Sequence, residues 1–365
     1  MPFDLKAHLQ TLSETHAISG HEAPIRQVIR EAWTGLVQNF DQDGLGSLIG
    51  WKRATRPPQS QPTPSIMLAA HMDEIGLMVR DIVDGFVYVA RVAGFDPRTT
   101  LAKPVLVHGK RALRGVVAAA PPHLLSDKDR DHYPSSEQLV IDLGLPDAEV
   151  RQLVRIGDMV TPDAPMLSLL GQTVAGKAFD DRACVAAVTA CLHHLQAMHH
   201  AWDVAAVATV QEESGLYGAQ TAAQHLRPTI AIALDVTFAP QNGVPQDSAR
   251  ELNEGPVLAL GANFHPALFK RLRQTAKQHE IKLQTEPLAA ASGTDAWAIQ
   301  VAREGVPCAL LSIPVRNMHS AVETLDLRDV ERAGRLLAHF ISELEADWTP
   351  ALAQDVNGDE KGEGA

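Results

Sequence analysis

The sequence has no apolar run near the roughly 20 residues needed to cross a bilayer, and its opening stretch, MPFDLKAHLQ, lacks the basic and apolar regions of a secretory leader. A cytoplasmic protein with no membrane partner is the expectation. Cysteine is scarce: Cys184, Cys191 and Cys308 form no CxxC pair and no disulfide framework, so they are expected as reduced thiols in the core. Positive charge is also short. Lys and Arg number 32 against 44 Asp and Glu, and a net charge of −12 argues against the clustered basic surface that nucleic-acid phosphates require. Part of the excess lies in the tail DVNGDEKGEGA, whose composition predicts disorder over 350–365. No internal repeat is visible. A dinucleotide loop is absent too, because DGLGSLIG is spaced GxGxxxG and no helical pattern follows it; a turn between two strands is expected there.

What is present is an ordinary globular composition, 45% hydrophobic and 21% charged, over 365 residues. EAPIRQVIREAWTGLV places Ile25, Val28, Ile29, Ala32 and Leu36 at helical spacing. RATRPPQSQPTPS is a proline-rich loop, and IMLAA after it is a short apolar run suited to a buried strand. Between residues 75 and 167 short β-branched runs alternate with Gly, Pro and Asp (IGLMV, GFVYVARV, PVLVHG, ALRGVVAAA, EQLVIDLGL, PMLSLL), and only DAEVRQLV reads as helix. This texture predicts a small β-barrel or sandwich inserted into a larger domain. Beyond it come the helix ACVAAVTACLHHLQAM, strands VAAVATV and IAIALD, helices ALFKRLRQTAKQH and TDAWAIQVAREG, strand CALLSIP and a final helix over 327–344. The fold class is therefore α/β, a layered sheet with helices on both faces. The expected organisation is a discontinuous catalytic domain over 1–74 and 168–349, interrupted by a β-rich domain over 75–167.

The polar residues gather where strands end. IMLAA is followed by His71 and Asp73, VAAVATVQ by Glu212 and Glu213, IAIAL by Asp235, and CALLSIP by a loop carrying His319, while Asp180 and Asp181 precede a helix. Ligands of open α/β sheets bind beyond the carboxyl ends of strands, so these groups can converge on one crevice. Two imidazoles and several carboxylates at one sheet edge suit zinc or cobalt. Taken singly, each has a plainer explanation: a histidine after a strand is usually a surface group, and Asp180 or Asp181 could simply cap the helix. His193, His194, His199 and His200 have no matching carboxylates nearby in sequence and are expected at the surface. Two adjacent glutamates are inexpensive in water, but in a cleft they need cations, protons or donors.

The blocks AAHMDEIGLMV, GKAFDDRAC, QEESGLYGAQ, ALDVTF, SGTDAWAI and IPVRNMHSAVE, in that order, resemble the signature segments of the M42 metallo-aminopeptidases, which include glutamyl and deblocking aminopeptidases. The resemblance runs from about residue 5 to 345. It implies a zinc-peptidase three-layer α/β/α domain interrupted by a dimerisation β-domain, with dimers assembling into dodecamers. It also implies two divalent metal ions, zinc or cobalt. Asp180 would bridge them, with His71 and Asp235 on one side and Glu213 and His319 on the other. Glu212 would be the general base that activates water for hydrolysis of the N-terminal residue of a short peptide, and Asp73 would accept a hydrogen bond from the His71 imidazole. Two departures bear on the pocket. Cys184 stands where the family usually has Gly, and Asn317 and Met318 stand near the final histidine where an aromatic is usual. Cys184 reads as a core thiol rather than a soft ligand. A related zinc amidohydrolase, deacylase or carboxypeptidase, would need an arginine for a substrate carboxylate, and Arg316 is the candidate. A non-catalytic assembly protein on this fold would be expected to have lost Glu212 or a ligand, and none is lost.

Overall fold

The computed structural model describes residues 3–59, 62–126 and 132–350; the expected disordered tail lies outside the described residues except for Pro350. An eight-stranded mixed sheet forms the centre, in the spatial order Asn39–Gln42, Leu48–Lys52, Asp203–Thr209, Ser65–His71, Ile230–Phe238, Cys308–Val315, Val257–Gly261 and Gln284–Leu288. The four middle strands, from Asp203–Thr209 to Cys308–Val315, run parallel.

Side chains alternate along these strands, and the two sets go to different cores. Ile66, Leu68, Val204, Ala206, Ile230 and Ile232 join one cluster with helices Leu5–Glu14, Phe179–His194 and Leu327–Ser342. Met67, Ala69, Ala205, Val207, Ala231 and Ala233 face the other, against Tyr217–Leu226 and Asp295–Ile299. The second face is alanine-rich, which lets short helices seat close to the sheet. Both faces are covered, as the unbroken apolar runs required. The architecture is thus the expected three-layer α/β/α arrangement.

Phe179–His194 is buried almost all round, which explains the weak periodicity of its sequence. The C-terminal helix crosses it closely at Gly334, where a methyl group would stand 2.7 Å from the Ala190 Cβ and 2.8 Å from the Ala187 carbonyl oxygen. Cys184, Cys191 and Cys308 are all buried and unpaired with one another.

Six strands, Gly76–Val83, Phe86–Val92, Val140–Asp142, Ala112–Ala118, Pro104–His108 and Met159–Pro162, close into a barrel in that order. Its own core contains Leu77, Val79, Val89, Val107 and Ile141. Leu167–Ser168, part of the PMLSLL run expected in the inserted domain, does not join the barrel. It pairs with Thr173–Gly176, which pairs in turn with Glu323–Asp326. Two helices are shorter than their sequence patterns predicted: the first ends at Trp33, leaving Leu36 buried beyond it, and TDAWAIQVAREG is helical only over Asp295–Ile299. No helix among the described residues is long and apolar enough to cross a membrane.

Candidate metal centre

Parallel pairing sets His71 opposite Thr209, so the chain leaves both strands at the same edge of the sheet. After Thr209 it passes through Gln211 in the left-handed conformation (φ 55°) into a single helical turn, Glu212–Gly215, closed by Leu216, also left-handed (φ 62°). Each such residue costs about 1–2 kcal/mol, so contacts must hold the turn. Asp73 provides them. Its carboxylate accepts the backbone N–H groups of Glu212 (3.2 Å) and Glu213 (3.3 Å) and the hydroxyl of Ser19 (2.5 Å). The expected hydrogen bond from the His71 ring to this carboxylate is not what the geometry favours: Nδ1 lies 3.1 Å from the Asp73 main-chain carbonyl and 3.5 Å from Oδ1. The carboxylate is drawn toward the glutamate turn instead.

Asp180 stands between two imidazoles. Its Oδ1 is 3.0 Å from His71 Nε2 and its Oδ2 is 3.2 Å from His319 Nε2. Glu213 Oε1 lies 3.4 Å from His319 Nε2, and Glu212 Oε2 3.8 Å from His71 Nε2. Ligand atoms of His71, Asp180 and Glu213 fall within 4.8 Å of one another, and so do those of His71, Asp181 and Asp235. The structure therefore brings together all seven residues singled out in the sequence, and it adds Asp181, which looked like a helix cap. Asp181 is buried, with Oδ2 accepting the His71 N–H at 3.1 Å and Oδ1 unpaired.

Three other acids escaped the sequence reading. Glu323 accepts the backbone N–H of Asp180 at 3.0 Å and of His319 at 2.8 Å, tying the two segments together. Asp295 accepts the Thr209 hydroxyl at 2.5 Å and leaves Oδ1 without a partner. Glu286 lines the neighbouring cleft. Glu323 and Asp295 carried a signal, as the last residue of IPVRNMHSAVE and the fourth of SGTDAWAI, and Glu286 carried none.

Burial raises Glu212 to about 10, and burial together with the charge of Asp180 raises Glu213 to about 7. Asp181 and Asp235 are also pushed up by burial. Burial opposes ionisation of Asp180 as well, but its contacts with His319 and His71 hold it below the usual carboxylate range. Burial disfavours the charged form of His71, yet Glu212, Asp180 and Asp73 raise it well above normal, and His319 rises to about 9 through Asp180. Without a cation, the site keeps protons on both imidazoles and on most of its acids. Such a crowd of buried acids, ionised only when their charge is offset, with oxygens on Glu213 and Asp181 that accept no hydrogen bond, fits divalent cations coordinated by nitrogen and oxygen.

The remaining sequence candidates lie apart from this centre or beneath it. Cys184 is a buried thiol donating to the Asp235 carbonyl at 3.1 Å, and burial raises its pKa far above normal, as for a core residue. Met318 lines the cleft, whereas Asn317 is exposed and donates to the Val322 carbonyl. Arg316 donates its Nε to the Pro240 carbonyl at 2.9 Å and is not among the residues lining the cleft. His200 is not a surface residue: it is 2% exposed, its Nδ1 2.7 Å from the Trp202 carbonyl oxygen.

The sequence model of the M42 glutamyl aminopeptidase family matches residues 46–336. A lysyl aminopeptidase of Pyrococcus furiosus is 36% identical over 94% of this chain and 98% of its own. Among solved structures, the TET aminopeptidase of a marine sediment Thaumarchaeota archaeon superimposes with a TM-score of 0.87 at 30% identity, covering 93% of this chain and 97% of that one. The Pyrococcus horikoshii TET1 peptidase, described as assembling into a tetrahedron or a large octahedral shell, gives a TM-score of 0.81 at 30% identity over 93% of this chain and all of its own. With a family match across most of its length and relatives of this identity spanning nearly the whole fold, the chain belongs to the M42 family of aminopeptidases.

Proposed function

We propose that the protein is a two-metal aminopeptidase that removes N-terminal residues from short peptides. The observation that carries this reading is Asp180 held between His71 and His319, with one carboxylate oxygen toward each imidazole. In this assignment Asp180 would be shared between two divalent ions, zinc or cobalt, with His71 and Asp235 holding one and Glu213 and His319 the other. Bound ions supply Lewis acidity at the scissile carbonyl and lower the pKa of the attacking water. Glu212 would take the proton from that water and return it to the leaving amine, a role that requires its carboxylate to be ionised, as nearby cations would favour. Asp73 holds the turn on which Glu212 and Glu213 sit, and Glu323 holds Asp180 and His319 in register.

Exposed Phe86, Val116, Leu124 and Tyr133 belong to the barrel region and support its use in subunit contacts, with dimers building a larger shell such as a dodecamer. Dialysis against a chelator, followed by elemental analysis and assay on aminoacyl anilides, tests the function. Hydrolysis should vanish with the metal and return with zinc or cobalt, while N-acetylated anilides should remain uncleaved. Full activity in metal-free protein, or equal cleavage of the acetylated substrates, would overturn the assignment.

A further inference from the structure

The cleft beside the metal centre, a cavity of about 620 Å³, holds one acid that the proposed chemistry does not use. Glu286 lies on the edge strand Gln284–Leu288, where alternation turns Glu286 inward and Thr285 and Pro287 outward. It is only 9% exposed, and Leu288 on the same face packs against the alanine-rich core. A carboxylate so placed is costly unless paired. Its hydrogen-bond donor is the Thr237 hydroxyl alone, 3.1 and 3.0 Å from the two oxygens, and no Lys, Arg or His forms an ion pair with it among the described residues. No lysine or arginine lines the cavity either, whereas apolar walls come from Leu216, Phe238 and Leu288.

Resting on the aminopeptidase reading, we infer that Glu286 is a specificity-determining residue that selects peptides whose first residue is lysine or arginine. The geometry suits such a side chain at both ends. An aliphatic stem lies along Phe238 and Leu288, and the cationic head meets the carboxylate that the protein leaves without a counter-ion. An acidic first residue would meet no lysine or arginine on these walls, where the one imidazole, His319, already faces Asp180 and Glu213, and would face Glu286 instead. Thr237, donating from the strand that also carries Asp235, fixes the carboxylate in place.

The test compares lysyl, arginyl, norleucyl and glutamyl anilides on metal-loaded protein, with wild type and Glu286→Gln. Norleucine has the lysine stem without the charge. The amide oxygen of Gln can still accept the Thr237 hydrogen bond, so this variant removes the charge and little else. Wild type should favour the lysyl and arginyl substrates over norleucyl, and Glu286→Gln should lower kcat/KM for these two by about 10- to 100-fold, mainly through KM, the range for losing a hydrogen bond to a charged group. Norleucyl hydrolysis should stay within roughly twofold, a change too small to represent a lost contact. Equal wild-type rates on lysyl and norleucyl anilides would overturn the inference, and that comparison needs no variant to fold. A uniform loss across all four substrates in Glu286→Gln would also overturn it, by showing that Glu286 only supports the fold. Failure to cleave any of the four would instead reject the aminopeptidase reading, and this inference with it.

Discussion

Gly94, in the loop after the barrel strand Phe86–Val92, lies against the imidazole of His319: a methyl group at that position would stand 2.7 Å from Nδ1 and 2.9 Å from Cε1. A barrel residue thus backs a side chain of the candidate metal centre. Gly94 does not have a positive φ, so alanine is compatible with its backbone and the damage should fall on the ring. Gly94→Ala is expected to push His319 away from Asp180 and weaken one metal by roughly tenfold, as happens when a ligand loses its support. Calorimetric zinc titration, with circular dichroism as the folding control, reads this directly; unaltered affinity would mean that His319 does not depend on the contact.

The two adjacent glutamates should separate by mutation. Glu212→Gln preserves shape and leaves the proposed ligands untouched, so metal content should stay at the wild-type level while kcat falls about 10²- to 10⁴-fold. Glu213→Gln replaces an anionic ligand by a weaker neutral one, so metal content should fall and excess zinc or cobalt should recover part of the activity. Elemental analysis beside kinetics distinguishes them, and the reverse pattern would exchange the two roles.

Glu323 uses both carboxylate oxygens on backbone N–H groups, those of Asp180 and His319. A glutamine keeps one acceptor but points an NH₂ group at the other donor. Glu323→Gln should therefore lower unfolding stability by about 1–3 kcal/mol, the cost of a buried unsatisfied group, and weaken metal binding with it. Urea denaturation of the metal-free protein isolates the first effect, and a titration measures the second.

Acid stability should depend on histidines outside the centre. Burial, reinforced by His193, lowers His8 to about 4, and burial, reinforced by Lys177, lowers His16 to about 4. Both are neutral in the folded protein at pH values where the unfolded chain, with a histidine pKa near 6.5, takes up protons. Their contribution is therefore intact above about pH 6.5 and is lost as pH falls toward 4, at up to about 1.4 kcal/mol per pH unit for each histidine. His8→Gln, which can still reach the Thr189 hydroxyl beside the ring, should flatten the loss of stability between pH 7 and 5 in urea titrations. Parallel wild-type and variant curves would remove His8 from the account.

The strand ends were readable because each buried run stops abruptly at an acid or an imidazole: IMLAA before His71, VAAVATV before the glutamates, IAIAL before Asp235. The three layers followed from unbroken apolar strands alternating with helical segments. Glu286 was not readable, because its burial comes from segments far away in sequence packing over it, and one acid in a polar stretch resembles any solvated one; Asp181 and Asp295 stood inside the signature blocks, but nothing in those blocks separated a buried acid from a helix cap. His200 failed in the same way: its neighbours look like a surface turn, yet Trp202 and the loop near Thr55 enclose it. Asp73 shows a further limit, since the family resemblance implied contact with the His71 ring but not that the glutamate turn would hold its carboxylate more closely.

The chain leaves the central sheet just after His71 to build the barrel and returns to the centre at Asp180, while Gly94 of that excursion rests on His319. Three positions of the candidate centre are thus joined to one inserted body, two through the chain and one by contact. Coupling of this kind is reciprocal in equilibrium terms. If the proposed function holds, a subunit contact on the barrel's outer wall that favoured the arrangement retaining the ions would be tightened by those ions by the same factor, and shell assembly and metal content would form a single linked equilibrium.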